Sequence, residues 1–152
     1  MAARPASQVG FTLIELIVVL ALLSLATGLV LPAIGRGIEG LELRAQVARF
    51  SAFLRYGREQ AITKRRAHEV RVDPEELQLT LVAVGSETPM ARRALSPRIR
   101  ISSPDPQAPR IITFSPQGFS SGASFRLETP GGRAYRVTLD PVTGRVTTAQ
   151  EA

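Results

Sequence analysis

The chain has 152 residues, enough for one ordinary globular domain, and it contains no cysteine. The missing thiols exclude a disulfide scaffold, a thiolate nucleophile and a cysteine-based zinc site together. Its net charge is +6, and all but one of its 19 basic residues are arginine, Lys64 being the exception. Such a surface suits nucleic acid or anionic lipid. It equally suits plain solvation, and no aromatic residues interleave with the arginines to form a base-stacking platform.

Residues 1–10 are short and polar, with Arg4 the one charged side chain. From Phe11 to Leu31 the chain reads FTLIELIVVLALLSLATGLVL, with Glu15 as its only charge. As a helix this run spans roughly 32 Å, enough to cross a bilayer core of about 30 Å. A cleaved secretory signal would have a shorter apolar core followed by a small-x-small site. Here the run is longer, and the small residue resembling a cleavage point, Gly10, precedes it. A plain anchor would avoid Glu15, because a carboxylate at the centre of a span costs about 2.5–3.5 kcal/mol on insertion scales. Glu15 therefore needs a partner, and a free amine created by cleavage between Gly10 and Phe11 on a neighbouring subunit would supply one.

Gly10-Phe11-Thr12-Leu13-Ile14-Glu15, with the apolar run behind it, resembles the processing motif of type IV pilins and type II secretion pseudopilins. Pro32 sits where these proteins often carry a helix-kinking proline. The resemblance implies that a prepilin peptidase cuts after Gly10 and that Phe11 becomes the N-methylated terminus. It also implies that Glu15 pairs with the terminal amine of an adjacent subunit during assembly. A carboxylate that is costly alone and stabilising when paired can set the stagger between packed helices. The leader would stay cytoplasmic. The charges do not argue for that orientation, because Arg36 and Arg44 follow the span while only Arg4 precedes it.

Beyond Pro32 the spacing predicts continued helix to about Arg66. Leu43, Val47, Phe50, Leu54, Gly57 and Ala61 recur on one face and predict packing against a sheet. Leu41, Ala45, Ala48 and Ala52 form a second apolar stripe. Gly35, Gly37 and Gly40 weaken the stretch after Pro32, where a bend or local melting is expected. Lys64-Arg65-Arg66 would end the helix, their charges complementing its dipole.

After Ala67 the period becomes two. His68, Val70 and Val72, then Leu77, Leu79 and Leu81, predict a hairpin across Asp73-Pro74-Glu75-Glu76. Further strands are expected at Ile99–Ile101, Ile111–Phe114, Phe125–Glu128, Tyr135–Leu139 and Val146–Thr148. The last three are separated by Thr129-Pro130-Gly131-Gly132 and by Asp140-Pro141-Val142-Thr143-Gly144. Gly85 to Pro109, rich in Pro, Ser and Arg, reads mainly as a long surface loop.

No constellation for catalysis emerges. His68 is the single histidine and has no cysteine to share a metal with. Glu75 and Glu76 are adjacent turn residues that point apart. Ser115, Ser120 and Ser121 lack a nucleophile-elbow context, and no phosphate-binding glycine loop exists. No metal, cofactor or enzymatic activity is expected.

The fold class expected is α+β: a long N-terminal transmembrane and amphipathic helix packed on an antiparallel β-sheet head. The divisions are 1–10 leader, 11–32 transmembrane helix, 33–66 amphipathic continuation and 67–152 β-rich periplasmic head. The head looks most like H-type minor pseudopilins, the GspH/FimT group. Phe114-Ser115-Pro116-Gln117-Gly118, then Gly122 and Asp140-Pro141-Val142-Thr143-Gly144-Arg145, carry that likeness. A major pseudopilin would bring an acidic calcium-binding loop, whereas Asp140 stands nearly alone. The resemblance implies a non-catalytic subunit of the type II secretion pseudopilus, anchored in the inner membrane. Its partners would be prepilin peptidase and other major and minor pseudopilins. The alternative is a type IV pilus minor pilin involved in assembly or DNA uptake, with Arg126, Arg133, Arg136 and Arg145 contacting phosphate.

Overall fold

The computed structural model describes residues 11–104 and 110–151, and within the helix it describes no side chains at 28–38. The leader 1–10, with Gly10, and part of the expected surface loop lie outside these residues. The chain divides into two compact units, Met1–Ile38 and Glu39–Ala152. Helix α1, Leu13–Thr63, contributes to both. Its assignment is unbroken through Pro32, Gly35, Gly37 and Gly40, so the local melting expected there is not found. Backbone hydrogen bonding along the helix outweighs one proline and three glycines.

In the first unit the described side chains from Phe11 to Thr27 are all exposed. Among the described residues no helix is long and apolar enough to cross a membrane. The described side chains stop at Thr27, short of Leu31, where the apolar run ends.

The second unit holds eight strands in two four-stranded antiparallel sheets, where the sequence suggested one sheet. The first has the order β3-β2-β1-β5, built from β1 His68–Asp73, β2 Gln78–Ala83, β3 Pro89–Ala94 and β5 Ile111–Phe114. The second has the order β4-β6-β7-β8, built from β4 Arg100–Ser102, β6 Ala123–Glu128, β7 Ala134–Leu139 and β8 Val146–Glu151. Inward residues alternate with outward ones, as on β1, where His68, Val70 and Val72 are buried.

The head portion of α1 closes both sheets. Leu43, Val47, Phe50, Leu54, Gly57 and Ala61 are all buried, as the first stripe requires. Phe50 meets Phe125 of β6 edge to face, with centroids 5.3 Å apart. One turn and more further on, Gly57 lies against Val70, Phe114 and Leu81 of the first sheet. The absence of a side chain at Gly57 lets the backbone come that close.

The helix stops by a Schellman arrangement. Arg66 N–H donates to Ala61 O and Arg65 N–H to Ile62 O, both at 3.2 Å, with Arg65 at φ 48°. The hairpin turn is fixed by Asp73, whose Oδ1 accepts from the N–H groups of Glu75 and Glu76.

Several expectations need correction. The segment read as surface loop contains β3, paired to β2 from Gln78↔Ala94 to Val82↔Pro89 with an irregularity at Leu81/Val82. Its side chains are mostly exposed, so it carries no alternating signal; backbone pairing alone makes it a strand. Leu77 is not a strand residue but closes the turn at φ 50°. The second stripe of α1 is not part of the core: Leu41, Ala45, Ala48 and Ala52 are exposed.

Candidate functional site

The first candidate region is the start of α1. Glu15 N–H donates to Thr12 Oγ1 at 3.3 Å, which forms half of a capping box at the helix N-terminus. The spacing Thr12-x-x-Glu15 could have revealed this cap in the sequence. Glu15 also lies in the first helical turn, where the dipole favours a carboxylate. Phe11 is 80% exposed, and Leu13, Ile14, Leu16 and Ile17 are each more than half exposed. Further along, Ser24 Oγ donates to Leu20 O at 2.8 Å and Thr27 Oγ1 to Leu23 O at 2.7 Å. Both hydroxyls are thus satisfied within the helix, which removes the cost of placing them in an apolar environment.

The second region is the outward face of α1 in the head. Leu41 is 70% exposed, and Ala45, Ala48 and Ala52 continue the line with side chains small enough for a close approach by another helix. Arg44 and Arg49 are exposed beside this line.

The four arginines proposed to touch phosphate do not form one patch. Arg126 and Arg136 face each other across β6 and β7, and both are held by Glu151 of β8. Arg126 Nε is 2.8 Å from Glu151 Oε2, and Arg136 Nη2 is 2.6 Å from Glu151 Oε1. Glu128 adds a second carboxylate 3.2 Å from Arg126 and 3.5 Å from Arg100. The hydrogen bond from Arg136 holds the Glu151 carboxyl below the usual carboxylate range. Arg133 instead lies against Gly40 of α1, and Arg145 lies beside the last turns of α1 in the head.

The two segments that looked like H-type pseudopilins are brought together. Ser120 N–H donates to Pro141 O and Ser120 Oγ to Asp140 O, each at 2.9 Å. Asp140 Oδ1 accepts from Val142 N–H, Thr143 N–H and Thr143 Oγ1, so the carboxyl is held below its ordinary range, chiefly by Thr143. Ser115 Oγ accepts from Phe119 N–H at 3.1 Å, and Ser121 Oγ from Thr113 N–H at 3.2 Å. All three serines serve loop geometry. His68 is buried, its Nδ1 2.7 Å from Arg66 O and its Nε2 3.2 Å from Met90 Sδ. Among the described residues no group of His, Cys, Asp and Glu could hold a metal ion.

Comparison with known proteins places these features in context. The model of the family "Type II transport protein GspH" matches residues 46–144, and that of the prokaryotic N-terminal methylation motif matches residues 7–31. The chain is 31% identical over 141 residues to type II secretion system protein H of Xanthomonas campestris pv. campestris, covering 90% of this chain and 80% of that protein. Its fold is similar to that of the type IV minor pilin FimU of Pseudomonas aeruginosa, with TM-score 0.59 and 18% identity over 70% of this chain and 91% of that one. It is similar to the minor pseudopilin EpsH of Vibrio cholerae as well, with TM-score 0.57 and 17% identity over 72% and 97%.

Proposed function

Because the chain belongs to the GspH family of type II transport proteins, we propose that it is a minor pseudopilin, a structural subunit of a type II secretion pseudopilus. The observation that carries this reading is the pairing of a GspH-type head with an N-terminal methylation motif in one chain. Prepilin peptidase cuts between Gly10 and Phe11 and methylates the new Phe11 amine. Residues 11–32 hold the subunit in the inner membrane, with the leader cytoplasmic and the head periplasmic.

Assembly then draws the apolar helix out of the lipid into a bundle of neighbouring helices. Glu15 sits one turn from the terminus, within reach of a neighbour's amine when helices stagger. Its cap from Thr12 orients the first turn, and the ion pair sets the register. Within the head, the exposed Leu41, Ala45, Ala48 and Ala52 offer a helix face for a neighbouring subunit. The subunit transmits position and contact and does no chemistry.

The test is the mature terminus. Mass spectrometry of the protein from cells with the peptidase should give a terminal peptide beginning at methylated Phe11. An intact Met1 terminus in such cells would refute the processing step.

A type IV pilus minor pilin is the second reading, favoured by the fold likeness to FimU. In its DNA-capturing form it would use Arg126, Arg133, Arg136 and Arg145. The carboxylates of Glu128 and Glu151 oppose that use at Arg126 and Arg136, because phosphate would have to displace them.

A further inference from the structure

An open groove of about 900 Å3 runs along the end of α1 in the head, between it and the turn from β7 to β8. Its charged residues are Arg55, Arg58, Glu59 and Arg145, with Ile62 as the apolar part of the wall. These arginines differ from those on the second sheet. Among the described residues none of the four charged groups takes part in an ion pair, whereas Arg126 and Arg136 are both paired with Glu151.

The groove is shaped by close backbone approach. Gly118 and Gly144 adopt φ 89° and 61°, and a β-carbon at Gly144 would strike Gly118 O and come within 2.7 Å of Arg58 Nε. Arg58 spends that Nε on Gly118 O at 3.1 Å, which fixes its guanidinium as part of the wall. Arg55 and Arg145 make no such bond among the described residues and present their full donor sets to an incoming group. The bordering turns carry exposed apolar side chains, Phe119 at 51% and Val142 at 68%, on backbone pinned by Ser115, Ser120 and Asp140.

We infer that this groove docks an acidic, extended segment of a partner protein, carboxylates on Arg55 and Arg145 and an apolar side chain against Ile62. The charge is complementary to carboxylates, and the guanidinium fork matches them in bidentate geometry. Peptide fits better than nucleic acid for two reasons. Glu59 would repel a continuous run of phosphates, yet would accept a peptide N–H. The basic path also does not continue onto the second sheet, where Arg126 and Arg136 are already paired. The inference rests on the pseudopilin reading only in placing the partner among neighbouring subunits.

The test uses the full chain in detergent micelles and a fluorescent peptide of alternating Glu and Leu. Its comparator is a labelled single-stranded oligonucleotide of equal length. Two charge-matched variants are compared, Arg55→Glu with Arg145→Glu, and Arg92→Glu with Arg93→Glu on exposed positions of β3. The groove pair should weaken peptide binding about tenfold or more, and the β3 pair should leave it near the parent value. Ile62→Ser should weaken it too without altering charge. Equal losses in both pairs would mean attraction to net charge alone and would overturn the inference. So would absence of peptide binding, or oligonucleotide binding that exceeds the peptide's and is lost with the groove pair. Unchanged export in a deletion strain would instead sink the pseudopilin reading and leave this binding result standing.

Discussion

Gly57 of α1 lies directly on Val70 of β1: a β-carbon at position 57 would come within 2.7 Å of Val70 Cγ2 and within 3.3 Å of the Phe114 ring. Val70 and Phe114 are fully buried, so neither has room to retreat. Gly57→Ala gains about 1 kcal/mol of helix propensity. Overpacking costs about 1–3 kcal/mol and outweighs it. The expected net loss is about 1 kcal/mol for Ala and ~3 kcal/mol for Val. Thermal unfolding of the full chain in micelles checks it; an unchanged or higher midpoint for Ala would show that the helix can lift off the sheet.

The end of α1 offers the opposite case. Arg65 occupies the left-handed position of the Schellman turn at φ 48°, a conformation that costs a residue with a β-carbon about 1–2 kcal/mol. Arg65→Gly relieves that strain, less the entropy of a freer unfolded chain, so a gain of about 0.5–1 kcal/mol is expected. A lower midpoint in the same unfolding experiment would contradict it.

Sequence and structure part company at points that share a cause. The first apolar stripe of α1, the β1–β2 hairpin and the later strands are written in side-chain periodicity, and the fold follows them to within a few residues. β3 has no such periodicity: Pro89–Ala94 is an exposed edge strand defined by its backbone pairing to β2. The outward direction of Leu41, Ala45, Ala48 and Ala52 was illegible, because composition does not say which of two apolar faces meets the sheets. The ion pairs of Arg126 and Arg136 with Glu151 arise because β8 runs on to Glu151, opposite Ala134 and diagonal to Arg136, past the Val146–Thr148 strand that the sequence suggested.

Acid should loosen the head. Hydrogen bonds hold Glu42, Asp73, Asp140 and Glu151 below their ordinary values: to Glu42 from Ser96, to Asp73 from Glu76 N–H, to Asp140 from Thr143 and to Glu151 from Arg136. A carboxyl depressed in the folded state stabilises fully above its unfolded value, here 4.5 for Glu and 3.8 for Asp, and loses that contribution as pH falls through the folded value. The contribution of these four carboxyls should therefore be flat from neutral pH to about 5 and decline below about 4. Asp140→Asn combined with Glu151→Gln should shallow that decline, measured by urea midpoints across the pH series. An equally steep decline in the double variant would place the acid sensitivity elsewhere.

The cap at the start of α1 uses the backbone N–H of Glu15 and the hydroxyl of Thr12, so Glu15→Gln keeps it and removes only the charge. Gln can cap as Glu does but carries no charge. The expected outcome is a subunit that is cleaved and methylated normally yet fails to enter a sheared pseudopilus fraction, as Glu15→Leu should. Normal incorporation of the Gln variant would show that assembly does not need the charge of Glu15.

The most direct test of the central claim compares the culture supernatant of a clean deletion strain with those of the parent and of strains complemented with wild-type or Glu15→Leu protein. Specific exported proteins should disappear from the medium, accumulate in the periplasm, and return with the wild-type copy but not with Glu15→Leu. An unchanged set of secreted proteins in the deletion strain would contradict a role in type II secretion.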